Sequence, residues 1–210
     1  MPLVLNRQRD YSSDMWSHRA VLIVAISLLF WALSCPAQQG STKGEFTPLD
    51  SDCIQKQFGS EFTRVTGYPT LTGDFDNDGV EDLAVVARGK NPLIDADEHH
   101  FRVLDPYDEF FGVGDPKITS QFGAIDPEHK GLVLLIIHGA GADAWRAETP
   151  KAKFVIINLP FKQVAVKHVQ IKKKLVTAIY SEETGAAEST SVIVFDGKKY
   201  KYQPMGSNLN

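Results

Sequence analysis

Asp74, Asp76 and Asp78 stand at alternate positions of the chain, Gly79 follows directly, and a further carboxylate comes at Asp82. Carboxylates set this densely repel one another, and a hard divalent cation that takes oxygen ligands relieves the repulsion. The chemistry implied is calcium binding. Gly79 lets the backbone turn sharply enough to bring Asp74, Asp76 and Asp78 round one centre, where Val80 can offer its carbonyl. Counting from Asp74, the twelfth position is Val85, inside an apolar run, so the bidentate glutamate that closes an EF-hand is missing. Asp82, the ninth, is then the closing carboxylate. The competing reading is a solvated acidic turn that holds no metal.

The loop must be held by its flanks. Tyr68 to Thr72 and Leu83 to Ala87 are rich in Val, Thr and Leu, as strands are, and the loop between them reads as a hairpin connection. At this point the residues resemble the FG-GAP or VCBS repeat, the blade unit of integrin-type β-propellers, whose Asp-x-Asp-x-Asp-Gly-x-x-Asp loop binds calcium between two strands. The resemblance spans about fifteen residues, Gly73 to Ala87. It implies ligation by the side chains of Asp74, Asp76, Asp78 and Asp82 and by the carbonyl of Val80, and it implies no catalysis. The chain departs from the family in carrying the loop once and in lacking a Gly-Ala-Pro segment before it, although Phe58-Gly59 is present. A propeller needs about four blades or more to close, so a full propeller is not expected.

Around the loop, Asp50 or Ser51 can cap a short helix to about Phe58, with Ile54 and Phe58 on one face. Residues 89–130 form a long polar insertion with several Pro and Gly, and loops of that length are often functional. It carries Asp95, Asp97, Glu98, His99, His100, Asp105, Asp108, Glu109 and Asp115. These suggest either a second metal or ligand-binding rim or a solvated acidic loop; adjacent histidines lack zinc-site spacing, which favours the loop. Phe101, Tyr107, Phe110 and Phe111 argue that the insertion is tied to the body. From Gly131 onward the pattern is β. Leu132 to Ile137 and Lys153 to Leu159 are continuous apolar runs, as in strands buried on both faces. Gln163 to Ile171, Lys174 to Ser181 and Thr190 to Tyr202 follow, the last broken by the turn Asp196-Gly197, with Glu182 to Glu188 a polar loop. The fold expected is a mainly β, antiparallel sheet domain, a sandwich or a partial propeller-like array, with one short N-terminal helix.

The front of the chain speaks to location. Arg7, Arg9, His18 and Arg19 precede the apolar run Ala20 to Leu33 and then Ser34-Cys35-Pro36-Ala37. That is the plan of a secretory signal peptide over residues 1–37, cleaved after Ala37, with Met1 or Met15 as initiator. A flexible leader, 38–49, joins it to a single domain, 50–210. The run is short for an uncleaved membrane anchor. Ala32-Leu33-Ser34-Cys35 loosely resembles a bacterial lipobox, which would make Cys35 a lipid anchor. The expected destination is thus secreted or periplasmic. Cleavage leaves only Cys53, and one cysteine forms no internal disulfide; it reads as a small buried helix residue.

Charge separates the two halves of the exported chain. Residues 38–150 hold 9 basic and 20 acidic side chains, whereas 151–210 hold 10 lysines and 4 acids. The lysine-rich half offers a surface for an anionic polysaccharide or lipid headgroups, or a basic sheet that attracts the acidic half. The partner expected is an extracellular or envelope ligand such as an anionic polysaccharide or another protein. Overall acidity argues against nucleic acid. The enzyme alternative rests on Leu132 to Gly141, where a strand runs into His138-Gly139-Ala140-Gly141 and resembles the oxyanion loop of lipases and esterases. No Gly-x-Ser-x-Gly nucleophile elbow accompanies it. The other reading of His138 is a strand-end residue before a glycine turn, with Trp145 packed beneath.

Overall fold

The run Leu132–His138 has no polar face, and a strand of that kind must be covered on both sides. The computed structural model describes residues 51–113, 129–184 and 189–207. Residues 1–37 with Cys35, expected to be a signal peptide, residues 38–49, expected to be a leader, and the part of the insertion carrying Asp115 lie outside them. Among the described residues no helix is long and apolar enough to cross a membrane.

The chain begins with helix α1 (Ser51–Phe58), then β1 (Phe62–Arg64), β2 (Leu71–Gly73) and β3 (Asp82–Gly89). After β3 come β4 (Arg102–Leu104), helix α2 (Pro106–Phe110) and β5 (Leu132–His138). A 3-10 segment (Gly141–Arg146), broken by the positive φ of Ala144, leads to β6 (Ala152–Ile156). The chain ends in β7 (Phe161–Ile171), β8 (Lys174–Glu183), β9 (Ser189–Phe195) and β10 (Tyr200–Ser207). The first six strands make one sheet in the order β1-β3-β5-β6-β4, with β2 pairing along β3 as well, and the last four make a meander, β10-β9-β8-β7.

Alternation along β3 and β5 sorts the core into two layers. Ala84, Val86, Leu132, Leu134 and Ile136 join Phe154 and Ile156 against Phe161, Val164, Ile179, Ile193 and Tyr200 of the second sheet. Leu83, Val85, Val133, Leu135 and Ile137 point the other way, where Ile54 and Phe58 of α1, Phe62, Phe101 and Trp145 cover them. The protein is therefore mainly β, two packed sheets with a helical cover on the outer face of the first. Neither sheet closes on itself among the described residues. Cys53 sits half-buried on α1 against the outer cluster.

Most strands fall where the residue pattern places them, and the long insertion differs. Part of it is built into the fold: β4 pairs with β6 in parallel, Arg102↔Phe154 to Leu104↔Ile156, in a sheet otherwise antiparallel. Asp105 caps α2, its Oδ1 accepting from Asp108 N at 3.0 Å and its Oδ2 from Asn158 Nδ2 at 2.6 Å. Burial pushes its carboxyl up to about 6 against those donors. Glu109 accepts from the ammonium groups of Lys199 and Lys201, so part of the lysine-rich half is spent on the acidic half.

Candidate metal centre

The acidic loop joins two strands that pair from Leu71↔Ala84 to Gly73↔Asp82, so it is a hairpin connection. Its turn is tightened by its own carboxylates. Asp74 Oδ1 accepts from Asp78 N at 3.0 Å and Oδ2 from Gly79 N at 2.9 Å. Asp76 Oδ1 also accepts from Asp78 N, and Asp78 Oδ1 from Val80 N. Asn77 and Gly79 take positive φ, 60° and 87°, which is how the chain reverses within so few residues.

One oxygen from each of Asp74, Asp76 and Asp78 falls within 4.8 Å of the others, and among the described residues no other set of three acidic, histidine or cysteine side chains does so. Such a donor set fits a hard cation that takes oxygen ligands, without singling out calcium. Val80 enters the loop through its N–H. Asp82 stands apart from the triad. Its carboxylate is buried and bridges two backbone donors, Phe75 N at 2.7 Å and Gly139 N at 2.8 Å. Burial raises its carboxyl to about 6, opposed by those two N–H groups. In this geometry Asp82 fastens the start of the loop to the end of β5.

Two further side chains complete the site, and neither is signalled by the spacing of the loop. Lys151, just before β6, places its Nζ 2.7 Å from Asp76 Oδ2 and 2.5 Å from Asp78 Oδ2. The pair of carboxylates raises the pKa of this ammonium, and the ammonium in turn holds Asp78 below the usual carboxylate range. His138, the last residue of β5, is fully buried. Its Nε2 lies 2.6 Å from the Tyr200 hydroxyl, while its Nδ1 faces Asp76 Oδ2 at 3.3 Å, off the line of a hydrogen bond and with no other partner. Burial lowers the pKa of the ring, which keeps it neutral.

Gly139 explains the close fit of these parts. A Cβ there would come within 2.4 Å of Glu81 O and 2.7 Å of the Ala144 backbone, so the strand end and the loop approach closer than any side chain allows. Trp145 is buried beneath this turn, and its Nε1 donates to Glu81 Oε1 at 2.9 Å. The Gly139 N–H, the donor an oxyanion loop would need, is taken by Asp82.

No known protein family, curated protein or solved structure matches this chain.

Proposed function

We propose that the chain is an exported β domain that binds calcium on the hairpin loop 74–82, in the manner of an FG-GAP or VCBS repeat, with a structural or recognition role and no catalysis of its own. The observation that carries this reading is the convergence of Asp74, Asp76 and Asp78 on one side of a strand-to-strand turn. The Lys151 ammonium beside Asp76 and Asp78 adds support, because it sets a positive charge against the concentrated negative charge of the cluster. Calcium would fix the register of the short β2–β3 pairing. Export is carried by the basic and apolar pattern of residues 1–37. The ligand recognised would be an anionic polysaccharide or another extracellular or envelope protein.

A calcium titration by calorimetry on the chain from Gln38 onward, with melts in calcium and in chelator, tests the reading. One site and a raised melting temperature are expected, both lost in Asp76→Ala and Asp78→Ala. At a hundredfold excess over its dissociation constant, a ligand of the folded state alone adds about 2.7 kcal/mol. No heat and no shift in the wild type would leave only an acidic turn. The hydrolase alternative gains nothing from the geometry, since His138 is buried against Tyr200 and the N–H beside it is committed.

A further inference from the structure

The Asp76 and Asp78 carboxylates are already bridged by a cation that belongs to the chain. We propose that Lys151 is a resident competitor for the loop: a divalent cation must expel its ammonium to bind, so Lys151 sets the affinity of the site. The inference rests on the calcium reading above and deepens it.

Three observations lead there. The two contacts go to Oδ2 of Asp76, which also faces the buried His138 ring, and to Oδ2 of Asp78, while Oδ1 of each is engaged with the backbone of the loop. Lys151 thus holds the Asp76 and Asp78 oxygens that no backbone N–H occupies, and a metal drawing on those oxygens meets its ammonium. The lysine is also free to leave. Its backbone is anchored, Lys151 N donating to His138 O at 3.0 Å, but its side chain is about half exposed. Finally, there is somewhere for it to go. Lys151 lines a cleft of about 340 Å³ whose rim carries the exposed carboxylates of Glu98 and Glu148, neither of which is engaged in an ion pair among the described residues. In the same cleft Lys153 donates its ammonium to Gln57 O at 2.7 Å, which holds it in place.

The consequence is a threshold. Giving up both contacts weakens cation binding by about tenfold relative to a loop without the lysine. Removing a positive charge that sits at the metal position also removes its direct repulsion of the incoming ion.

The test combines affinity with the fate of the amine. Calcium is titrated calorimetrically into the wild type and Lys151→Met, and both are melted in chelator to establish that the variant is folded. Separately, the wild type is acylated briefly with an amine-reactive ester, with and without calcium, and modification is read residue by residue by mass spectrometry, with Lys153 as the internal reference. The expected result is about tenfold tighter binding in Lys151→Met, and several-fold faster acylation of Lys151, relative to Lys153, when calcium is present. Binding in the variant alone also supports the proposal, as a competitor too strong for calcium to displace. Equal or weaker binding in the variant, or a Lys151 whose reactivity ignores calcium that the wild type does bind, overturns the competitor while leaving the calcium loop in place. If neither protein binds, the loop reading and the competitor fall together.

Discussion

His138 and Tyr200 meet between the two sheets, with the imidazole Nε2 2.6 Å from the phenol oxygen. One comes from the end of β5 and the other from the start of β10, and the rings of Phe154 and Phe195 close around them. Burial drives the Tyr200 pKa well up, so the hydroxyl keeps its proton and can donate to the neutral ring. Tyr200→Phe keeps the packing and leaves Nε2 without a partner in the core. A buried polar group stranded in this way costs about 1–3 kcal/mol. Urea unfolding of the variant should show that loss, with an unchanged dependence on denaturant; wild-type stability would mean the contact contributes nothing net.

Gly139 is the second position where a small change should have a large effect. Adding one methyl drives it into the Glu81 carbonyl and the Ala144 backbone, neither of which is a flexible side-chain tip. Forcing atoms into a filled site costs about 1–3 kcal/mol. Gly139→Ala should lose that much in a denaturant melt. It should also weaken the proposed calcium binding, since Glu81 and Asp82 end the loop that would be pushed aside. A variant as stable as the wild type would show that the turn relaxes more easily than its contacts imply.

At the tip of the β7–β8 hairpin the chain reverses through Lys172 and Lys173, with φ of 48° and 69°, between the paired residues Ile171 and Lys174. Two-residue turns with both φ positive favour Asn-Gly, because an L side chain resists that region. Lys172→Asn with Lys173→Gly should therefore stabilise the protein by about 1 kcal/mol, read as a rise in the urea midpoint. No gain would mean that repulsion and strain in the lysine turn are already offset elsewhere.

Asp105 gives the fold a dependence on pH. Its folded carboxyl titrates near 6, whereas an unfolded one titrates near its ordinary value of 3.8. The folded state thus holds the proton more tightly. The contribution of this group is fully present below about pH 4, is lost as pH rises to about 6, and changes little above that. Denaturant midpoints taken from pH 4 to 7 should show a downward component that Asp105→Asn lacks. An identical profile in the variant would assign that component to other groups.

Much of this architecture is legible in the residues. Leu132 to Ile137 reads as a doubly buried strand because every residue is apolar, and both of its faces are covered in the fold. Asp196-Gly197 marks a hairpin, and Gly197 does take a positive φ, with Asp196 Oδ1 accepting from Lys198 N and Lys199 N. Other features leave no local signal. The Lys172-Lys173 turn carries no Asn or Gly, and the three residues of β4 are too few for alternation to declare a strand. The site shows the same division. Spacing brings out Asp74, Asp76 and Asp78, since the carboxylates of one turn are neighbours in sequence. Lys151 stands 73 residues beyond Asp78 in the chain, and only the pairing of β3, β5 and β6 brings it back. Asp82 illustrates a subtler limit: spacing gives its distance along the chain, but the Gly139 N–H that claims one of its oxygens lies just past the end of β5.

The parallel pairing of β4 with β6 bears on how the chain can be assembled. Emerging N-terminus first, from a ribosome or an export channel, Arg102 precedes its partner Phe154 by 52 positions. The second sheet has no such wait, because β7 to β10 each pair with the strand next in sequence. Until β6 arrives, Val103 and Leu104 belong to an open strand edge of the sort that recruits foreign strands. The three-residue length of β4 keeps that edge small, so the detour through the insertion is made with little template left exposed.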